Sequence, residues 1–185
     1  MDGASVTVTK VFADGAQKGF ATIDWTGVLE TLEFQGFEQI WTHGGRDTFT
    51  AAGAQIVGDM GVRYNARWGD DALVGSSGND TLEGGAGNDT IGGESGNDLF
   101  LADAAVSGDW IEGDDGIDTL SYAGIAGAVT LNLGLTGAQN VEGGRVSGVE
   151  NLIGGTAGDR AGLQRAVLGG RSAATPLAAA PDGLR

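Results

Sequence analysis

From Ala66 the chain reads, in blocks of nine, ARWGDDALV, GSSGNDTLE, GGAGNDTIG and GESGNDLFL. Ala102 and Asp103 interrupt, and the register resumes as AAVSGDWIE and GDDGIDTLS, ending at Ser121. A fixed period held over several units means that one small structural element stacks on copies of itself. Each block divides into a turn and a short strand. Gly at positions one and four tolerates positive φ and tight curvature, and Asn and Asp accept left-handed backbone better than other residues. Thr-Leu-Glu, Thr-Ile-Gly and Leu-Phe-Leu are strand formers with an apolar centre. Three strand residues in nine cannot close an independent hairpin sheet. They can form one rung of a coil, with the apolar residue inward and the next coil stacked above. Two blocks, 18 residues, then complete one turn with a strand on each side. Position eight (Leu73, Leu82, Ile91, Phe100, Ile111 and Leu120) is predicted to line the interior.

Position six is always Asp: Asp71, Asp80, Asp89, Asp98, Asp109 and Asp118. Successive blocks alternate sides, so Asp71 is expected above Asp89 and Asp80 above Asp98. The two-residue insertion moves the next pairs to Asp89/Asp109 and Asp98/Asp118. Between Gly69 and Ser121 there are 13 acids and no Lys or Arg, and the whole chain carries 10 bases against 25 acids, a net charge of −15. Stacked Asp columns repel at short range unless something neutralises them. Coils of a parallel structure lie about 4.8 Å apart. Ca²⁺ takes roughly six to eight hard oxygens at about 2.3–2.6 Å. A cation between two stacked carboxylates therefore fits one coil spacing, with turn carbonyls supplying the remaining oxygens. Mg²⁺ wants a tighter octahedron and keeps its waters. Zn²⁺ is poorly served by a chain with no Cys and one His. An acidic, Gly-rich chain with few large apolar residues folds only at high entropic cost, so folding is expected to depend on the cation.

At these blocks the sequence resembles the RTX nonapeptide-repeat proteins, whose pattern is G-G-x-G-x-D-x-U-x with U large and apolar. Gly84–Gly92 matches at every fixed position; Ser76 and Glu94 replace the second Gly in the neighbouring blocks. Ala66–Val74 keeps Gly69, Asp71 and Leu73, Ala104–Glu112 lacks Gly at position four, and Gly113–Ser121 keeps Gly113, Gly116, Asp118 and Leu120. The resemblance implies an all-β fold, a right-handed parallel β-roll, with Ca²⁺ in its turns. The candidate metal-site residues are the position-six Asp residues together with turn residues Gly75, Ser77, Gly78, Gly84, Ala86, Gly87, Gly93, Ser95, Gly96, Gly113, Asp115 and Gly116. It further implies a secreted, extracellular bacterial protein that leaves the cell through a type I exporter and folds when it meets calcium.

Outside the repeats, Gly36-Phe-Glu-Gln-Ile-Trp41 aligns with Gly148-Val-Glu-Asn-Leu-Ile153, and each is followed by a Gly-containing turn with an Asp at the same offset, Asp47 and Asp159. THGGRDTFT (42–50) is itself a passable block, with Gly45, Asp47 and Phe49 at positions four, six and eight. The stretches 19–34 and 127–135 are β-rich, the second alternating at Val129, Leu131 and Leu133. These features divide the chain into irregular β-solenoid coils (1–65), the nonapeptide β-roll (66–121), wide-loop β coils forming a C-terminal cap (122–162) and a disordered tail (163–185). The tail carries both Pro and three of the four Arg found from Arg160 onward, without the repeat's Asp or apolar rhythm. Its rival readings are an uncleaved C-terminal export signal or a truncation artefact.

Nucleic acid and anionic lipid are not expected partners, because both call for a basic patch. No apolar run is long enough for a membrane-spanning helix, and MDGASVTVTK lacks the basic and apolar regions of a cleaved secretory signal. His43 has no second His to converge with, there is no G-x-S-x-G elbow or P-loop lysine, and no bidentate Glu follows Asp114 and Asp115 at EF-hand spacing. No enzymatic centre is expected. The alternatives are an accessory part of a secreted RTX hydrolase or protease whose active domain lies elsewhere, or part of an adhesin or surface-layer protein. Trp110, at position seven, is expected to face outward.

Overall fold

The computed structural model describes residues 5–13, 17–25, 28–35, 40–42, 44–56, 59–102, 108–126, 130–132, 139–141, 144–155, 160–162 and 166–167. The strands are β1 (Ser5–Ala13), β2 (Gln17–Trp25), β3 (Val28–Gln35), β4 (Ile40–Trp41), β5 (Thr48–Thr50), β6 (Gln55–Ile56), β7 (Met60–Asn65), β8 (Ala72–Val74), β9 (Asn79–Glu83), β10 (Thr90–Gly92), β11 (Leu99–Leu101), β12 (Trp110–Glu112), β13 (Thr119–Ser121), β14 (Thr130–Asn132), β15 (Gln139–Val141), β16 (Gly144–Ser147), β17 (Asn151–Ile153), β18 (Arg160–Gly162) and β19 (Ala166–Val167). No helix occurs among the described residues.

Each nine-residue block contributes one strand, and the strands alternate between two sheets. One sheet runs β15-β16-β12-β10-β8-β5-β1-β2-β3, with β6 also paired to β1; the other runs β19-β17-β13-β11-β9-β7-β4. From β5 to β16, and throughout the second sheet, neighbours are parallel. Ile91 lies beside Leu73, and Phe100 beside Leu82, at the 18-residue spacing of a two-block turn. Across the insertion the spacing is 20, with Ile91 beside Ile111 and Phe100 beside Leu120. The architecture is a parallel β-solenoid.

Position eight forms the core. Phe49, Leu73, Ile91, Ile111 and Val146 make one inward column, and Tyr64, Leu82, Phe100, Leu120 and Leu152 make the other; all are buried. Burying each such side chain is worth roughly 1.5–3 kcal/mol. Phe49 and Tyr64 stack at 4.0 Å between ring centroids, joining the two columns at the N-terminal end. The Tyr64 hydroxyl shares a 2.9 Å hydrogen bond with Thr42 Oγ1, which satisfies a phenol that burial would otherwise penalise.

The ends differ from the middle. Solenoid coils were expected through residue 65, but β1, β2 and β3 form an antiparallel meander on the edge of the first sheet. The physical reason is long β-forming stretches separated by Asp14-Gly15-Ala16 and Thr26-Gly27, too short for a parallel crossover. Coils of the solenoid begin at β4 and β5. The aligned GFEQIW and GVENLI segments both reach the second sheet, through β4 and β17. Ala166 pairs with Leu152 and Val167 with Ile153, so the second sheet reaches past Gly162, to the fifth residue of the segment expected to be a tail. Residues 168–185, where most of that expected tail falls, lie outside the described residues, as do Val129, Leu133 and Asp159.

Candidate metal centre

The turns lie between strands of opposite sheets, and their asparagine and aspartate side chains tie one coil to the next. At position six the backbone N–H of one coil donates to the carboxylate of the coil that follows. Asp71 N–H donates to Asp89 Oδ1 (2.8 Å), Asp80 N–H to Asp98 Oδ1 (2.8 Å), Asp89 N–H to Asp109 Oδ1 (2.9 Å) and Asp98 N–H to Asp118 Oδ1 (2.8 Å). The four vertical pairs expected from the spacing are therefore neighbours. All six carboxylates are buried.

Both columns extend beyond the repeats. Asp47, also buried, donates its N–H to Asp71 Oδ1 at 2.6 Å and heads the first column. Its turn reproduces the repeat geometry, with Gly45 at φ 130° and its N–H on the Trp68 carbonyl. THGGRD carried that signal. At the far end of the second column, Asp118 N–H donates to Glu150 Oε2 at 2.8 Å. Glu150 comes 32 residues after Asp118, and no local spacing pointed to it.

Position five builds a second ladder, on the exposed side and in the opposite sense. Asn88 N–H donates to Asp70 Oδ1 (3.0 Å), Asn97 N–H to Asn79 Oδ1 (2.7 Å) and Ile117 N–H to Asn97 Oδ1 (2.8 Å). Here the later coil donates to the earlier one. The Asn of the repeated Gly-Asn-Asp is thus a stacking residue, a role its turn propensity alone did not reveal.

Glycine is required where coils approach most closely. At Gly87 (φ 149°) a Cβ would collide with the Gly69 carbonyl, and at Gly116 (φ 152°) with that of Gly96. Ala86 bridges to Trp68 and Ser95 to Asp115, so these exposed position-three residues stack along the turn edges; Ser77 is also exposed. Gly75, Gly84, Gly93 and Gly113, at position one, are buried against the position-six carboxylate of their own block. Gly78 and Gly96 lie on adjacent coils of one column, the Gly78 carbonyl facing Gly96 Cα.

The donor set is all oxygen. Asp71, Asp98 and Asp118 each keep a buried Oδ2 with no hydrogen-bond partner. At Gly93 the Asp98 Oδ2 and the Gly113 carbonyl oxygen converge on the space a Cβ would fill; at Gly113 the Asp118 Oδ2 and the Gly148 carbonyl do the same. Two acceptors facing one another without a donor call for a cation. Burial, and then neighbouring carboxylates, push Asp98 up to about 7 and Asp71 and Asp118 up to about 6, each partly offset by the N–H it accepts. No three acidic or imidazole side chains converge among the described residues, so most of the coordination must come from backbone carbonyls. Turn hydrogen bonds end on carbonyls at positions two, three, six and nine, as in Ala86 N–H to Arg67, Gly69 N–H to Ala86, Thr90 N–H to Asp71 and Gly75 N–H to Gly92; the Ala66 carbonyl at position one accepts the Trp68 N–H, and the position-four carbonyls Gly69, Gly78, Gly87, Gly96 and Gly116 are not among the acceptors. This set of hard, acceptor-only oxygens fits Ca²⁺.

His43 lies outside the described residues. Trp110 is exposed and carries the Arg145 guanidinium over its ring at 4.6 Å.

Residues 66–100 match the family model of the RTX calcium-binding nonapeptide repeat, in four copies. The segment is thus an array of RTX repeats, which implies calcium binding in a β-roll. No curated protein matches the chain.

Proposed function

We propose that the chain is a calcium-dependent folding module of a secreted bacterial protein, exported by a type I system and without a catalytic centre of its own. One observation carries this reading: two columns of buried carboxylates in which Asp71, Asp98 and Asp118 each hold an oxygen that nothing in the protein satisfies. Asp71, Asp89, Asp98, Asp109 and Asp118, with carbonyls of the adjoining Gly-rich turns, would hold the ions. Bound calcium supplies positive charge between coils. The chain's own part is to stack the turns through the position-five and position-six ladders and to keep water from the position-eight core. Because the ion binds only the folded state, ligation is folding energy. Low cytosolic calcium then leaves the chain open for export and extracellular calcium closes it.

Circular dichroism and size-exclusion chromatography test this directly. In chelator the chain should be largely unfolded and expanded; millimolar calcium should bring β signal and compaction, and equal magnesium much less. A folded, unchanged spectrum in chelator would refute calcium-dependent folding.

A second reading, a partner-binding face of an adhesin or of a larger secreted hydrolase, draws on the exposure of Trp41 and Trp68, each 60% accessible, with Arg67 over the Trp41 ring at 4.8 Å. A glycan array on the calcium-loaded chain distinguishes it from a pure folding module.

A further inference from the structure

Among the described turns of the roll, one is built differently. In the blocks starting at Ala66, Gly84, Gly93 and Gly113, position two is left-handed (Arg67 φ 75°, Gly85 φ 94°, Glu94 φ 72°, Asp114 φ 64°). Position four in the same blocks has positive φ as well (Gly69, Gly87, Gly96 and Gly116). In Gly75–Glu83 neither Ser76 nor Gly78 has positive φ. Ser76 is instead buried and turned onto its own block's aspartate. Its N–H donates to Asp80 Oδ2 (2.5 Å) and its hydroxyl to Asp80 Oδ1 (2.8 Å), while its Oγ accepts the Gly78 N–H (3.1 Å). Val62 N–H adds a further bond to Asp80 Oδ1 (2.5 Å). Three donors therefore cover the two oxygens of Asp80. In Asp71, Asp98 and Asp118, by contrast, Oδ2 has no donor.

We propose that Ser76 withdraws Asp80 from calcium binding, so that metal ligation in the second column begins at Asp98 and the coil carrying β9 is a metal-independent rung. The physical reason is competition for the same lone pairs. A cation at Asp80 would have to displace charge-assisted hydrogen bonds that Ser76 makes within its own turn. The turns of Asp71, Asp98 and Asp118 offer an ion oxygens that would otherwise stay unsatisfied. Position two thus selects which turns bind: a left-handed residue there, as at Arg67, Glu94 and Asp114, leaves the Oδ2 of Asp71, Asp98 and Asp118 open, whereas Ser76 closes Asp80. The inference rests on calcium binding by the roll.

The test counts calcium ions on the full chain by native mass spectrometry and isothermal titration calorimetry, with calcium chloride as the only ligand. D98N should lose at least one ion. D80N should keep the count of the unaltered chain and shift its titration midpoint less than about threefold. S76G, which restores the glycine and releases Asp80, should gain one ion, and it decides the matter if D80N fails to fold. Loss of an ion by D80N equal to that by D98N, or an unchanged count in S76G, would overturn the inference alone. No calcium uptake by the unaltered chain would overturn the calcium reading and this inference with it.

Discussion

Replacing Asp98 by Asn should act in opposite directions with and without calcium. The amide keeps Oδ1 as acceptor for the Asp80 N–H, a 2.8 Å bond. It puts an NH₂ where Oδ2 faces the Gly113 carbonyl, so two converging acceptors become a donor and an acceptor. It also removes a buried charge. Burial, followed by the fields of Asp80, Asp118 and Asp114, raises Asp98 from 3.8 to about 7, against the lowering effect of the Asp80 N–H. A rise of that size sets an upper bound of about 4 kcal/mol on the penalty for the ionised form. A raised folded-state value means that the proton stabilises the fold. That contribution is complete below about pH 4 and is lost as pH rises through 7. In chelator at pH 8, D98N should therefore fold at a lower concentration of trimethylamine N-oxide than the unaltered chain, an osmolyte that favours burial. Below pH 4 the two should coincide. With calcium the sign reverses: loss of a charged ligand should weaken binding at least about tenfold, roughly 1.4 kcal/mol. Circular dichroism against osmolyte and against calcium reads both arms. A D98N chain that is equally destabilised in chelator and in calcium would show that the carboxylate is a hydrogen-bonding post and not a repulsive site awaiting a cation.

The same raised values at Asp71, Asp98 and Asp118 predict that acid partly replaces calcium: acidifying the chain in chelator from pH 8 to about 4 should increase its β signal, and a loss of β signal over that window would contradict the reading. Ile91 lies between Leu73 and Ile111 in the core, so I91D buries an unpaired charge and should leave the chain unfolded even at saturating calcium, as judged by size-exclusion chromatography. G87A sets a Cβ against the Gly69 carbonyl at φ 149° and should cost about 2 kcal/mol or more by calcium-loaded thermal melting, whereas G53A, with open space around it, should cost only the strain of its own φ of 72°.

The nine-residue period by itself determined the alternation of strands between two sheets, the inward columns at position eight and the 18- and 20-residue vertical pairs. These follow from a repeat short enough that each unit can only place its apolar residue inward and stack on the next. Position six was equally legible, because a column of Asp with no compensating base admits few explanations besides a cation. Only the tertiary structure decided what depends on vertical neighbours. The opposite senses of the position-five and position-six ladders, the extension of the columns to Asp47 and Glu150, and the occupation of Asp80 by Ser76 all arise from which N–H of one coil meets which oxygen of another. Such meetings are set by coil height and turn conformation, and Ser76 and Gly85 hold the same place in the period while their backbones take different paths. The antiparallel β1–β3 meander was also the structure's to decide, since strand-forming residues fix neither the direction nor the partner of a strand.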